Sequence, residues 1–234
     1  MKKFLSLFLV FVLSVSFLTP VYATTAIASP SNNTGVISFE CYDAAVKAEY
    51  AKYHVKYECI NYNKDFVFTQ KLLDQKLQDI NDTLSSFMYD TETNSFMTYV
   101  QEPIQHVSDK HSSIIESAIT PYAAYVILNK YFNVVATSPS GLGNAHIEIA
   151  VNTTQEVQSS SFVTINSCTS RQYGSAVNFK SWSDDGNTLK INSTRKWVSG
   201  NVYGTLVVQY TEPNTGITAT YTSDHGWNIG FQPM

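Results

Sequence analysis

Basic residues are scarce in this chain. Its 234 residues include 15 Lys and Arg against 19 Asp and Glu, which gives a net charge of −4. Binding to nucleic acid requires a cluster of basic side chains, and so does electrostatic attraction to an anionic membrane. The composition therefore argues against nucleic acid as a partner and against a charged membrane contact.

Cysteines and long apolar runs are also few. The three cysteines are Cys41, Cys59 and Cys168. In an exported chain Cys41 and Cys59 are the candidate disulfide because they close a short loop, which leaves Cys168 as a buried free thiol. The one long apolar run covers residues 4–18, and none follows near the C-terminus. We therefore predict no transmembrane anchor in the mature chain.

The N-terminal segment has the features of a secretory leader. Met1-Lys2-Lys3 precedes an apolar run of about 15 residues, shorter than the ~20 that cross a bilayer. The run ends before Val21 and Ala23, which match the small-residue cleavage pattern. We expect a signal peptide over residues 1–23 and a flexible mature N-terminus over residues 24–35. The Lys-led leader resembles those of Gram-positive bacteria, so the expected protein is bacterial, secreted and extracellular.

Residues 36–137 are predicted to be mainly helical. The strongest helix runs over residues 69–87, with Thr69 as N-cap and an apolar stripe at Leu73, Leu77, Ile80, Leu84 and Phe87. A second helix is predicted from residue 96 or 103 to residue 119. Two such stripes typically face each other as a helical hairpin.

Two stretches of this region remain open. Residues 43–53 favour a helix, whereas residues 55–60 and 65–69 equally suit a pair of strands. Residues 122–132 suit either a third helix or a buried strand.

Residues 138–144 are predicted to be a linker, because small and turn-forming residues cluster there and the hydrophobic period changes from near 3.6 to two. Residues 145–234 are predicted to form an antiparallel β domain, with turns at residues 184–187, 199–201 and 213–216. The expected strands are 145–151, 162–168, 173–182, 189–197, 202–210 and 217–221, with a seventh at 227–231. The fold class is therefore α+β: a helical hairpin region followed by an antiparallel β-sandwich or small barrel of six to seven strands.

No catalytic residue, metal site or cofactor is predicted. The sequence has no Gly-x-Ser-x-Gly elbow, and the polar cluster at residues 106–113 consists of neighbours, whereas a Ser–His–Asp triad joins distant groups. His146 and Glu148 share a strand face, but a metal needs further ligands. His225 lies among turn formers, and the adjacent Asp184 and Asp185 are interpreted as a solvated turn.

Aromatic residues are plentiful, with 15 Tyr, 13 Phe and three Trp. Trp182, Trp197 and Trp227 all lie in the predicted β domain. An indole ring suits a sugar ring or a protein partner, although most Trp on sheets pack against neighbouring strands. These three are the candidate ligand-binding residues.

The sequence thus predicts a non-catalytic binding or interaction module for a glycan, a cell-wall component or a protein. One alternative is a secreted hydrolase with an unrecognised site. The other is a secreted toxin or pore-forming protein, in which the Ser- and Thr-rich residues 157–170 would belong to an insertion hairpin.

Overall fold

The structure is a computed structural model that describes residues 35–99, 113–115 and 124–234. The predicted signal peptide, almost all of the flexible segment 24–35 and the His106 to Ser112 cluster lie outside the described residues. The described elements are α1 (Phe39–Lys52), β1 (Lys56–Asn61), α2 (Gln70–Leu84), β2 (Tyr89–Asp90), β3 (Ser95–Tyr99), β4 (Ser113–Ile115), β5 (Tyr125–Thr137), β6 (Asn144–Glu156), β7 (Ser161–Val177), β8 (Phe179–Asn187), β9 (Lys190–Ile191), β10 (Val198–Thr211) and β11 (Thr218–Phe231).

Both helices begin at side-chain caps. The Ser38 hydroxyl accepts from Cys41 N–H at 3.2 Å at the start of α1. The Thr69 hydroxyl accepts from Leu72 N–H at 3.3 Å at the start of α2, which confirms the predicted N-cap. Of the predicted stripe, α2 buries Leu73, Ile80 and Leu84 and half-buries Leu77, whereas Phe87 lies beyond the last residue of the helix.

A seven-stranded sheet, called the large sheet here, is built around β11. Its order is β2-β3-β11-β10-β8, with β1 also paired to β11 and β9 to β10. The β10–β11 ladder is antiparallel and unbroken from Val198↔Phe231 to Thr211↔Thr218. On its other edge β11 pairs antiparallel with β1 and parallel with β3.

The other four strands form the small sheet, in the order β4-β5-β6-β7. β5 and β6 pair without interruption from Tyr125↔Glu156 to Thr137↔Asn144. Every second residue of β6 is buried, beginning with Ala145 and Ile147. The strands of the described chain therefore form two open sheets, and the predicted small barrel is wrong for this part of the chain.

The large sheet has two unlike faces. Its inner face carries the odd-numbered side chains of β11 and the even-numbered ones of β10, which are almost all buried. Helix α1 contacts this face where Tyr50 meets Tyr221, with ring centroids 5.3 Å apart. The small sheet contacts it where Phe132 and Phe162 lie 5.6 and 5.5 Å from Phe231. The outer face carries the alternate side chains, which are mostly half-buried or exposed.

The second predicted helix is wrong for residues 96–99 and 113–115, which form β3 and β4. Phe96 lies on the inner-face side beside His225 and packs edge-on against Phe87 and Tyr89. Pairing with β11 thus overrides a local apolar spacing that resembled a helix. The helical hairpin expected from that second helix is absent from the described residues.

The two open stretches resolve differently. The helix at 43–53 is confirmed within α1, and residues 56–61 form the strand β1. That strand pairs with β11, whereas the alternative paired it with residues 65–69. Residues 125–132 belong to β5, so the strand interpretation is confirmed there. The predicted linker contains the turn from β5 to β6, closed by a Ser138 N–H bond to Gly143 O at 2.8 Å.

Among the predicted strands, 202–210 and 217–221 are confirmed, and so is the turn at 213–216, which Gly216 N–H closes on Glu212 O at 2.9 Å. The predicted strand 173–182 is broken at Asn178, whose φ of 54° lies in the left-handed region. Of the predicted strand 189–197 only β9 forms. The expected turns at 184–187 and 199–201 lie within β8 and β10.

Candidate functional site

Trp227, one of the three predicted binding residues, is completely buried. It lies on the inner face in the middle of β11, with none of its surface exposed. Its ring centroid is 5.4 Å from that of Trp182 and 6.2 Å from that of His225. A ligand in solvent cannot contact this ring, so the structure places Trp227 in the core.

Trp182 is half-buried on the same inner face. Its indole N–H donates to Ser170 Oγ at 3.1 Å, which ties β8 to β7. The ring lies on Gly204, where an added Cβ would come within 2.0 Å of Trp182 Cζ2. The Gly204 contact packs Trp182 against its own sheet and the Ser170 bond joins it to the small sheet, so both contacts assign Trp182 to packing.

Trp197 is different because it lies on the outer face and is 39% exposed. Its ring covers Gly230, where an added Cβ would lie 2.7 Å from Trp197 Cζ2. The backbone before it is held by the Asn192 side chain, whose oxygen accepts from Lys196 N–H at 3.0 Å and Trp197 N–H at 3.1 Å. The structure therefore does not bring the three tryptophans together: only Trp197 presents a ring to solvent from a fixed position.

A hydrogen-bonded ladder continues from Trp197 across the outer face. Asn228 Nδ2 donates to Asn201 Oδ1 at 2.8 Å, and Asn201 Nδ2 donates to the Tyr203 hydroxyl at 3.0 Å. The Tyr203 hydroxyl accepts in this ladder, and among the described residues its own proton has no acceptor. Side chains of two strands are thus held in place while leaving hydrogen-bonding capacity at the surface.

Two exposed carboxylates, those of Asp185 and Asp224, lie on the outer face two residues beyond Tyr203, beside Thr205. The Thr205 hydroxyl oxygen lies 2.6 Å from Asp185 Oδ2 and 2.7 Å from Asp224 Oδ1. One hydroxyl has one proton to donate, so only one of the two ionised carboxylates receives it and the other keeps a free acceptor. Within the described part of the chain neither carboxylate is in an ion pair. Asp185 thus lies within β8 beside Thr205, although a turn was expected there.

His146 and Glu148 share a face of β6 as predicted, but each has another partner. Glu148 Oε1 accepts from Arg171 Nε at 2.9 Å and from Arg171 Nη2 at 2.7 Å. The His146 ring lies edge-on to Tyr173 with centroids 5.9 Å apart. Among the described residues no group of three or more His, Cys, Asp or Glu is placed to hold a metal ion.

His225 lies in the middle of β11, where a turn was expected. Its Nε2 is 2.9 Å from Ser223 Oγ, and both residues are buried on the inner face. Burial lowers the pKa of His225 to about 4, so the ring is neutral near pH 7. A Ser–His pair without access to solvent supports packing and offers no route for a substrate.

The cysteines are free thiols in the structure. Asp43 approaches Cys59, whose pKa is raised by burial first and by that carboxylate second. Residues two apart on a helix point about 200° apart, so Cys41 faces away from β1 when Asp43 faces it. The Cys59 thiol donates to Asn61 O at 3.4 Å, and burial raises the pKa of the half-buried Cys168 to about 11.

The useful residues that the sequence reasoning missed are Asn201, Tyr203 and Asn228. The alternation of side chains along the strand could have identified Tyr203 as surface-facing, because it falls on the non-core side of the predicted strand 202–210. Continuing the same alternation towards the N-terminus places Trp197 on that side as well. Trp227 alternates in step with Ile229 and Phe231, which marks it as a core residue.

Comparisons with protein-family models, with curated proteins and with solved structures find no match to this chain. No helix in the described ranges is long and apolar enough to cross a membrane.

Proposed function

We propose that this protein is a secreted bacterial binding module without catalytic activity, and that its ligand contacts the outer face of the large sheet. The ligand classes are a glycan, a cell-wall component or another protein. Secretion rests on the leader over residues 1–23. The arrangement of the module as a two-sheet sandwich is part of the same proposal and is supported by the ring contacts between Phe231 and the small sheet.

The exposed, fixed ring of Trp197 is the observation that carries this proposal. An indole offers a flat apolar body and one polar N–H, which suits both sugar rings and protein partners. Gly230 beneath the ring and the Asn192 turn behind it hold the side chain in place. Binding to a pre-organised ring loses little side-chain entropy.

The histidines of the described residues support a non-catalytic role. His225 is buried, and His146 packs on Tyr173. His54 stacks on Tyr89 with centroids 3.7 Å apart. A general base needs contact with substrate, and none of these three rings lies beside a carboxylate in a described ion pair.

The pore-forming alternative is less well supported. The predicted insertion segment 157–170 includes the first half of β7, which pairs with β6. β6 also pairs with β5 along its whole length. Extending β6 and β7 as a free hairpin would break a ladder of 13 residue pairs, so dye release from liposomes is expected to be absent.

A binding assay with matched variants tests the proposal. The secreted protein is mixed with insoluble bacterial cell wall or polysaccharide, and the bound fraction is measured for the parent, Trp197→Ala and Tyr173→Ala. Tyr173 is the control because it is an aromatic residue on the small sheet, away from the outer face. Trp197→Ala is expected to weaken binding by about tenfold or more, as for a central aromatic contact.

Failure of the parent to bind any cell-wall, glycan or protein preparation would refute the binding role. Secretion has its own measurement: mass spectrometry of the exported chain should find Thr24 as the first residue. A chain that stays in the cell with Met1 to Ala23 attached would refute that part.

A further inference from the structure

We infer that the ligand of the outer face is a polysaccharide chain without acidic groups, and that it lies along β10 from Trp197 to Thr205. The inference rests on the proposed function and makes its ligand specific. The geometry, the hydrogen-bonding groups and the charge of the outer face each support it.

The geometry favours an elongated ligand. Trp197, Ser199, Asn201, Tyr203 and Thr205 alternate along one strand and its entry, so they share the outer face. At about 3.3 Å per residue the row is roughly 26 Å long. Beside it β11 contributes Gly230, Asn228 and Asp224 at the paired positions, so the surface is at least two strands wide. A row of evenly spaced groups matches a chain of repeating units better than a single compact molecule.

The side chains of the row match sugar chemistry. Sugar hydroxyls both donate and accept, and the row offers both partners: the Tyr203 proton, which has no acceptor among the described residues, and the carboxylate oxygens beside Thr205. The exposed Trp197 ring offers an apolar surface for the C–H face of one sugar. Between Trp197 and Thr205 the only other aromatic group is Tyr203. The apolar core typical of a protein interface is therefore missing from this row.

The two carboxylates at the Thr205 end of the row disfavour acidic glycans. Asp185 and Asp224 both contact one hydroxyl, so their oxygens are no more than about 5 Å apart. No basic side chain forms an ion pair with either of them in the described part of the chain. Lys180 donates to Gln209 at 3.2 Å, toward the Thr205 end of the row. Lys190 is the β9 residue opposite Ser199 in the strand pairing, next to Trp197 at the other end. A carboxylate or phosphate at the Thr205 end would meet two like charges.

Soluble polysaccharides in affinity gel electrophoresis test the inference with the full secreted chain. The probes are hydroxyethyl cellulose as a neutral glycan, chitosan as an amine-bearing one and polygalacturonate as an acidic one. Variants are Trp197→Ala, the double variant Asp185→Asn/Asp224→Asn and the control Tyr173→Ala, each checked by circular dichroism for native structure. We expect the parent to bind a neutral or amine-bearing glycan, Trp197→Ala to bind at least tenfold more weakly, and Tyr173→Ala to bind like the parent.

The three probes also distinguish a neutral polysaccharide from an amine-bearing one. If chitosan binds best, the double variant should lose that preference, because its carboxylates are gone; if hydroxyethyl cellulose binds equally well, the chain is recognised through its hydroxyls. Tighter binding to polygalacturonate than to both other probes would overturn the inference. Equal binding by Trp197→Ala and Tyr173→Ala would overturn the location. Both results leave the general binding role standing. A parent that binds neither these glycans nor cell wall, but binds a purified protein partner, overturns the inference alone. A parent that binds none of them overturns the inference and the proposed function together.

Discussion

Gly204 is the position at which the packing of Trp182 on the inner face of the large sheet can be tested most directly. It lies on the inner face of β10 beneath the Trp182 ring. A methyl group there would come within 2.0 Å of Trp182 Cζ2, 2.4 Å of Cη2 and 2.6 Å of Ser183 O. Real carbon atoms do not approach so closely, so Gly204→Ala must displace the tryptophan ring or the backbone of β8.

The expected cost follows from what the displaced ring loses. Overpacking alone costs about 1–3 kcal/mol. Loss of the Trp182–Ser170 hydrogen bond adds about 1 kcal/mol, and loss of the contact with Trp227 adds about 0.5–1.5 kcal/mol. We therefore expect Gly204→Ala to lower the free energy of unfolding by about 3–5 kcal/mol. For a domain of this size the melting temperature should fall by roughly 10 °C.

Thermal unfolding followed by far-ultraviolet circular dichroism measures this effect. Gly174→Ala is the control, because no atom lies within 4 Å of the added methyl and the cost is limited to left-handed backbone strain of about 1–2 kcal/mol. A double-mutant cycle with Trp182→Ala isolates the contact. In that background the clash with the ring is gone but the 2.6 Å approach to Ser183 O remains, so Gly204→Ala should cost only the overpacking of about 1–3 kcal/mol. An unchanged cost of 3–5 kcal/mol in the absence of the ring would refute the reasoning.

Three further predictions concern ionisation, thiols and capping. The pKa of His225 is about 4 in the folded chain and about 6.5 in the unfolded chain, so below pH 6.5 the unfolded state binds more protons. The contribution of His225 to the free energy of unfolding should be constant above pH 6.5 and fall by up to about 1.4 kcal/mol per pH unit towards pH 4. Urea unfolding of His225→Gln at several pH values should lack this slope. Maleimide should label the exposed Cys41 of the native protein well before Cys59 and Cys168, and equal rates for all three would contradict the burial described. Thr69→Ala should cost about 1 kcal/mol in urea unfolding through loss of the α2 cap, whereas Thr69→Ser should cost little, and equal losses would argue against the cap.

Local patterns in the sequence predicted the elements that local physics decides. The stripe of α2 and its Thr69 cap follow from helical spacing, and the burial of Val202, Leu206 and Val208 follows from alternation along β10. The turn at 213–216 follows from its Pro, Asn and Gly content, since these residues favour turns.

Long-range pairing explains most of what the sequence could not predict. β3 lies parallel to β11, about 130 residues later in the chain, so no local signal marks Phe96 as a strand residue. Turn-forming residues at Asp224 and Gly226 led to two short predicted strands where one continuous β11 exists. Ladders on both edges of β11 hold these residues in extended backbone against their local preference.

The candidate site shows the same division. Composition drew attention to three tryptophans, but their positions relative to the sheet decide their roles. Trp182 and Trp227 lie on the inner face, and Trp197 lies on the outer one. The Asn201–Tyr203–Asn228 ladder requires β10 and β11 to be in register, which only the structure supplies.

The position of β11 has a consequence for the order in which this protein acquires its fold. Glu58 of β1 pairs with Thr220, which lies 162 residues further along the chain, so β1 has no partner strand until that residue has been synthesised. β3 and β10 likewise gain their central neighbour only once β11 has been synthesised, although β3 can pair earlier with β2 and β10 with β8 and β9. Nascent chains that stop short of Thr218 should therefore remain protease-sensitive, and the large sheet should assemble slowly and only after translation of the β11 segment.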